Sequence, residues 1–248
     1  MLGFFKSSFD SKPPPDRRVY AIDDIHGQRD RLAAMHDAIL RDAEHAPETQ
    51  RVVIYVGDFV DRGPDSPGVI DLLLDEPLPG FTRIFLKGNH EDYMLRFLEG
   101  DIEAGAGWHA NGGDATLASY GVEVEGMWPD FTVLVEWQSG LAAAVPDSHK
   151  RFLQGLQLSH VEGDYAFVHA GVRPGVPLEA QNPRDLMWIR DEFHSSRADH
   201  GYVIVHGHSV TSKAVNKANR IGIDTGAGYG RDLTAVVLSG TERRFLQV

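Results

Sequence analysis

The sequence predicts an α/β fold, and three observations predict it. Strand-like and helix-like patterns alternate over the first hundred residues, as in sheets whose parallel strands are joined by helical crossovers. The last third is rich in strands joined by short connections, which points to antiparallel or mixed pairing. Between them, the apolar run Val52 to Val56 ends on Gly57 and delivers Asp58, Asp61 and Arg62 at once, and the carboxyl ends of strands are where open α/β sheets bind ligands.

The elements follow in order. Residues 1–16 carry Ser7, Ser8, Lys12 and the run Pro13-Pro14-Pro15 without periodicity and read as a flexible, extended leader. Val19 to Ile22 is a short buried strand ending at Asp23-Asp24-Ile25-His26-Gly27. A helix follows from about Gln28 to Glu44, where Leu32, Met35, Ile39 and Leu40 keep the three-and-four spacing of one buried face. His36 and His45, on or near that helix, are expected in solvent. Pro47 breaks the pattern before the Val52 to Val56 strand. Asp65 to Asp75 reads as a second helix with Pro67 in its first turn. Arg83 to Leu86 is a third strand, leading through Lys87-Gly88-Asn89-His90-Glu91 into a helix with Met94, Phe97 and Leu98 on its apolar side.

From Gly100 to about Leu158 the regularity fades. Glycines 100, 105, 107, 112 and 113 surround Trp108-His109-Ala110-Asn111, and helical pieces are expected near Phe131 to Trp137 and His149 to Leu156. The stretch at about 100–158 reads as a cap inserted into a single domain spanning residues 17–248, because no linker-like boundary frames it. Strands at Tyr165 to Val168, Tyr202 to Val205, Arg220 to Ile223, Ala235 to Leu238 and Phe245 to Val248 complete the chain.

Composition narrows the chemistry. With 42% apolar and 24% charged residues over 248 positions, the chain can bury a full core as a soluble protein. A net charge of −12 argues against a nucleic-acid or anionic-membrane partner, both of which want a basic stripe. It does not argue against a phosphate substrate, since bound divalent cations can reverse the sign locally. The lack of cysteine removes disulfides, thiolate catalysis and cysteine-type zinc sites. No apolar run approaches the ~18 residues of a membrane span, and Leu2 to Phe5 is too short for the core of a signal peptide, so a cytoplasmic location is expected.

The strand ends carry Asp24 and His26, then Asp58, then Asn89 and His90, then His169, then His208. Such side chains converge on one rim of a sheet even when far apart in sequence. Their mixture of carboxylate, amide oxygen and imidazole suits Mn, Fe or Zn more than Ca, which prefers oxygen alone. Asp58 is central enough to bridge two ions. Alone, an Asp after a strand would be an ordinary turn or helix-cap residue, and a His a structural or solvated one. All five sets together would need that explanation five times over.

Asp24-Ile25-His26-Gly27, Gly57-Asp58-Phe59-Val60-Asp61-Arg62-Gly63, Gly88-Asn89-His90-Glu91, His169-Ala170-Gly171 and Gly207-His208 resemble the ordered signature of the PPP-type metallophosphoesterases. That family includes serine/threonine protein phosphatases, their bacterial and phage relatives, and symmetrical diadenosine tetraphosphate hydrolases. The resemblance spans roughly residues 19–230, and its middle motifs are the most specific. Leu186-Met187-Trp188-Ile189-Arg190 and Ile223-Asp224-Thr225-Gly226 are similar to the bacterial and phage protein phosphatases.

The resemblance implies a four-layer α-β-β-α metallophosphoesterase sandwich with two mixed β-sheets. It also implies two divalent metal ions, manganese first, with iron or zinc as alternatives. Asp24 and His26 would hold one ion, Asn89, His169 and His208 the other, and Asp58 would bridge them. A hydroxide shared by such ions would attack phosphorus in line, with no phosphoenzyme. Arg62 and Arg190 would clamp the phosphate oxygens, with Asn89 beside them. His90 would protonate the leaving oxygen, oriented by Asp61.

Two positions need separate mention. The family usually has glycine where this chain has Asp23, which is expected to point away as an ordinary strand-end residue; the alternative is added negative charge beside the metals. His206 is expected to be structural, with His208 as the ligand. The function implied is a phosphoprotein phosphatase acting on phosphoserine or phosphothreonine, with phosphotyrosine possible. A dinucleoside polyphosphate hydrolase is the alternative within the same fold, and a non-catalytic phosphate-binding scaffold is the alternative outside it. The partner is then a phosphorylated protein or a small phosphoester.

Overall fold

The computed structural model describes residues 10–75, 77–124 and 129–248. Two five-stranded sheets form its centre. In the first, β1 (Arg17–Ile22), β2 (Gln50–Tyr55) and β3 (Thr82–Phe85) run parallel, with Val19 opposite Val52 and Tyr55 opposite Phe85. The connections are α1 (Arg29–Glu44) and α2 (Ser66–Leu74), and α3 (Asn89–Leu98) follows β3 directly. These are the crossovers that the alternating pattern requires.

The intervening segment is helical: α4 (Ile102–Trp108), an irregular turn at His109–Gly113, α5 (Asp114–Ser119), α6 (Phe131–Ala144) and α7 (Asp147–Gln154). The second sheet contains β4 (Ser159–Glu162), β5 (Tyr165–Val168), β6 (Val203–His206), β7 (Val215–Asn216) and β8 (Arg220–Gly222). Helices α8 (Pro183–Trp188) and α9 (Asp191–His194) lie between β5 and β6. Its order is β4-β5-β6-β8-β7, in which β5, β6 and β8 are parallel and the edges antiparallel. The final hairpin, β9 (Thr234–Ser239) and β10 (Glu242–Gln247), returns to the first sheet and pairs antiparallel with β1. Both sheets are therefore mixed.

Alternation along the strands builds the layers. In β1, Val19 and Ala21 face one side and Tyr20 and Ile22 the other, the period-two consequence of the pleat. Val19, Ala21, Val52, Ile54 and Val56 meet Tyr165, Phe167, Val203, Val205 and Ile221 between the sheets. Tyr20, Ile22, Val53 and Tyr55 pack on the helices α1, α2 and α3. The outer face of the second sheet, at Ala166, Val168 and Ile204, is covered by Leu186, Ile189 and Phe193. The result is helices, sheet, sheet, helices, the four layers expected.

Three expectations change. The segment taken as a cap sits in the helical layer of the first sheet, because Leu134, Trp137, Leu141 and Leu153 share that layer's core. Residues 1–9 of the expected leader lie outside the described residues, but the part just before β1 is tied down. The Tyr165 hydroxyl donates to the Ser11 carbonyl, while Lys12 and Asp164 exchange backbone hydrogen bonds with each other's carbonyl or carboxylate oxygens. His36 is buried rather than solvated. It stands four residues after Leu32 and three before Ile39, inside the buried stripe, whereas Leu40 is exposed and Ala43 completes the face. Among the described residues, no helix is long and apolar enough to cross a membrane.

Candidate active site

The six parallel strands end on one rim, and those ends carry the site. Asp23, Asp24 and His26 follow β1, Asp58 follows β2, and Asn89 and His90 open α3 just beyond β3. His169 follows β5, His208 follows β6 and Asp224 follows β8. The antiparallel edge strands contribute none of these.

The chain turns sharply to deliver them. Among the described residues, six that are not glycine have positive φ, and five are at the site: His26 (48°), Asp58 (53°), Asp61 (74°), Arg62 (64°) and His208 (66°). Such conformations cost about 1–3 kcal/mol each and persist only when the surroundings fix them. The strand ends also approach so closely that side chains are excluded. A Cβ at Gly88 would lie 2.0 Å from Asp58 Oδ1, and one at Gly207 would lie 2.1 Å from Asp24 Oδ1.

Asp58 is the hub. Its Oδ2 is 3.6 Å from His26 Nε2, 3.7 Å from His90 Nε2 and 3.4 Å from His169 Nε2, while Oδ1 accepts the His90 backbone N–H at 3.2 Å. Burial raises its pKa, but His169, His90 and His26 outweigh burial and hold the carboxyl well below its usual range. Glu91 braces this hub from beneath. Its buried carboxylate accepts backbone N–H groups of Asp58 (2.8 Å), Phe59 (2.7 Å), Val60 (3.3 Å) and Gly88 (2.9 Å), locking the β2 loop to the start of α3. Burial, then the charge of Asp58, pushes it up to about 7 despite these donors.

Two imidazoles present lone pairs defined by a backbone carbonyl. His26 Nδ1 lies 2.8 Å from the Val60 carbonyl and His169 Nδ1 lies 2.9 Å from that of Val56. A carbonyl only accepts, so each Nδ1 carries the proton and each Nε2 offers a lone pair in the neutral ring. His169 Nε2 faces Asn89 Oδ1 at 2.9 Å, one acceptor against another in that tautomer. His208 Nε2 and Asp24 Oδ1 are buried without a hydrogen-bond partner, and burial, then the neighbouring His169, pushes His208 down to about 2. His26 Nε2 meets the Arg62 guanidinium, but His208 Nε2, Asp24 Oδ1 and the facing His169 Nε2 and Asn89 Oδ1 are acceptors without a donor, which a divalent cation would satisfy, so these residues fit the metals that the sequence implies. Ligand atoms within 4.8 Å of one another form three groups: His26–Asp58–His90, Asp58–His169–His208 and Asp23–Asp24–Asp224. Asp24 thus groups with two other acids rather than with His26 and Asp58.

Asp23 does not point away. It is fully buried, its Oδ2 accepts the Thr225 N–H at 3.0 Å, and burial followed by the charge of Asp224 pushes its carboxyl well above the usual range. The added carboxyl group lies beside the site, the less favoured of the two expectations. His206 lies in none of the three groups; it stacks on His194 at 5.4 Å and meets Phe193 edge-on, behind the rim.

His90 and Arg62 form the other half of the site. Asp61 Oδ2 lies 2.6 Å from His90 Nδ1 and also accepts the Trp108 indole N–H at 2.7 Å, while Oδ1 accepts the Thr116 hydroxyl at 2.6 Å. Asp61 is thereby fixed on both oxygens, and it fixes the imidazole. Burial pulls the His90 pKa down, but Asp58 and Asp61 outweigh it and the net shift is upward. Arg62 reaches between the two imidazoles, with Nη1 2.6 Å from His26 Nε2 and Nη2 3.1 Å from His90 Nε2. Arg190 is exposed at the α8–α9 junction, where its charge helps to depress His208. Two residues earlier, the Trp188 ring lies edge-on to His208 at 6.1 Å.

Trp108, Thr116 and Glu91 had no assigned role from sequence. Glu91 carried a readable signal, a glutamate three residues past Gly88 at a helix start. Trp108 and Thr116 lie in the segment without periodicity, and only the fold brings them to Asp61.

The family profile of the calcineurin-like phosphoesterases matches residues 17–236. The chain belongs to that family. It is a metallophosphoesterase, a hydrolase that uses divalent metals. Over 229 residues it is 29% identical to serine/threonine-protein phosphatase 1 of Salmonella typhimurium, covering 88% of this chain and 90% of the relative. Over 221 residues it is 28% identical to the symmetrical bis(5'-nucleosyl)-tetraphosphatase of Nitrosospira multiformis, covering 85% of this chain and 68% of that protein. Among solved structures, a point mutant of a cold-active protein tyrosine phosphatase superposes with a TM-score of 0.56 at 17% identity, covering 99% of this chain and 86% of the other. At that identity the likeness concerns the fold. The relatives divide between protein and dinucleotide substrates, so the family is fixed and the substrate class is not.

Proposed function

We propose that this metallophosphoesterase is a phosphoprotein phosphatase that hydrolyses phosphoserine and phosphothreonine monoesters, and also phosphotyrosine. The observation that carries this reading is the His90–Asp61 pair, locked by Trp108 and Thr116, with Arg62 beside it: a proton donor and an anion clamp side by side. Asp24, His26 and Asp58 would hold one cation, and Asp58, Asn89, His169 and His208 the second, with manganese the preferred metal. Bound there, the pair supplies a nucleophile drawn from water at neutral pH and offsets charge on the phosphate.

The chain's own residues do the rest. The guanidinium of Arg62, joined by Arg190, grips the non-bridging oxygens with paired donors, and Asn89 lines the same pocket. His90 gives the Nε2 proton to the departing alcohol oxygen, so that ester and water become alcohol and phosphate. Asp61 holds Nδ1–H and stabilises the imidazolium before the proton leaves.

The Trp188-Ile189-Arg190 stretch, similar to bacterial protein phosphatases, favours a protein substrate. A dinucleoside polyphosphate hydrolase is the second reading, favoured by the Nitrosospira relative. A direct comparison of kcat/KM for phosphoserine peptides and diadenosine tetraphosphate with manganese decides between them. Preference for the peptide is expected. Preference for the dinucleotide overturns the first reading, and turnover of either after exhaustive chelation overturns the metal-dependent mechanism for both.

A further inference from the structure

Beside the buried ligand residues, one large aromatic side chain among the described residues stands in solvent next to Arg62. Tyr229 is 62% exposed, and the Arg62 guanidinium lies over its ring at 4.9 Å from the centroid. Neither the metal scheme nor the proton transfer uses it. Its position is nonetheless fixed. It ends the short turn Ala227–Tyr229, between Gly226 (φ 96°) and Gly230 (φ 79°), both in the left-handed region that glycine adopts freely. The turn rests on His26, since a Cβ at Gly228 would lie 2.6 Å from the His26 ring. Thr225 N–H donates to Asp23 Oδ2 at 3.0 Å, Gly226 N–H donates to Asp224 Oδ1 at 3.0 Å, and the Thr225 hydroxyl donates to the Asp232 carbonyl at 2.8 Å. The carboxyl group by which this chain leaves the family pattern, Asp23, thus anchors the loop that carries Tyr229.

We propose that Tyr229 extends the site to aryl phosphate monoesters such as a phosphotyrosine side chain, by receiving their aromatic ring. The inference rests on the phosphoesterase reading above. Phosphate gripped by Arg62 has its ester oxygen toward His90, whose Nε2 is 3.1 Å from Arg62 Nη2. The organic group on that oxygen emerges beside the guanidinium, where the Tyr229 ring stands. A ring bonded directly to the ester oxygen can stack there, whereas the methylene of a serine ester presents little surface to it. Arg62 already covers part of the aromatic surface as a cation–π partner, and the exposed remainder is open to the substrate. Aromatic pairs of this kind are worth about two- to tenfold in affinity beyond area burial.

Non-hydrolysable phosphonates test this without turnover. Calorimetric titration of the manganese-loaded protein should show phenylphosphonate binding about three- to tenfold more tightly than methylphosphonate. Tyr229→Ala should bring that ratio close to one while methylphosphonate affinity changes little, and Tyr229→Phe should preserve the ratio. The same pattern is expected in KM for phenyl phosphate against phosphoserine. An equal loss for both phosphonates in Tyr229→Ala would mean that the ring only steadies Arg62, and an unchanged ratio would mean that it touches no substrate; either overturns the proposal. Failure of wild type to bind either phosphonate and to hydrolyse either ester overturns the phosphoesterase reading itself.

Discussion

At the scale of single residues, the site is arranged so that orientation is decided by hydrogen bonds one step behind the reacting atoms. His90 is aimed by Asp61, and Asp61 is aimed by Trp108 and Thr116. Removing the imidazole should therefore cost about 10²–10⁴-fold in kcat on an alkyl phosphate, the usual value of positioned acid catalysis. An activated aryl phosphate, whose leaving group needs less protonation, should lose far less in His90→Asn. Trp108→Phe keeps the apolar volume but deletes the N–H that Asp61 accepts, and should reproduce the same substrate bias at about 10–100-fold on the alkyl ester. Steady-state kinetics on the two ester types read both effects. Equal losses on alkyl and aryl esters in either variant would remove this line of residues from leaving-group chemistry.

At the scale of elements, the parallel strands and their crossover helices were legible because their signals are local. The Val52 to Val56 run, the glycine that ends it and the spaced apolar residues of α1 all lie within one element. The six proposed ligands stand out in the sequence for the same reason, each lying one to four residues past a strand end. What stayed hidden depends on long-range packing. Trp108 is 47 residues from Asp61 and sits among glycines, so no periodicity marks it. Asp23 reads as a turn residue until β8 brings the Thr225 N–H to it. His36 lies between these cases, since the helical spacing put it in the buried stripe while its polarity argued against it.

That burial has a measurable consequence. Burial holds His36 down to about 4, in a hydrogen bond of 2.9 Å with the Tyr55 hydroxyl, with Asp37 favouring and Arg83 opposing its charge. Above pH 6.5 the ring is neutral in folded and unfolded chains alike. As pH falls from there toward 4, only the unfolded chain takes up the proton, so the folded state should lose about 3 kcal/mol from this ring alone. Denaturant melts of wild type and His36→Gln, whose amide oxygen can still accept from Tyr55, should diverge by that amount across the window. Parallel curves would mean that the ring titrates normally in the fold.

At the scale of the whole molecule, two sheets bring their parallel strand ends to one rim, and a chain of net charge −12 gathers Asp23, Asp24, Asp58 and Asp224 there in burial. Burial, then the charge of Asp224, pushes Asp24 well above its usual range, and burial pushes Asp224 up to about 6. A divalent cation that binds only the folded chain would relieve this crowding and couple metal affinity to global stability. At a hundred times its Kd, one such cation adds about 2.7 kcal/mol, which for a chain of this size corresponds to roughly 5–10 °C in Tm. Thermal melts with manganese should show a rise of this order. Calcium at equal concentration should give less, because imidazoles and an amide oxygen share the donor set. Asp58→Asn should remove most of the manganese effect, since Asp58 stands in both the His26 and the His169–His208 groups. A shift of equal size with calcium, or one undiminished in Asp58→Asn, would assign the stabilisation to screening of surface charge and leave the rim without a role in holding the fold.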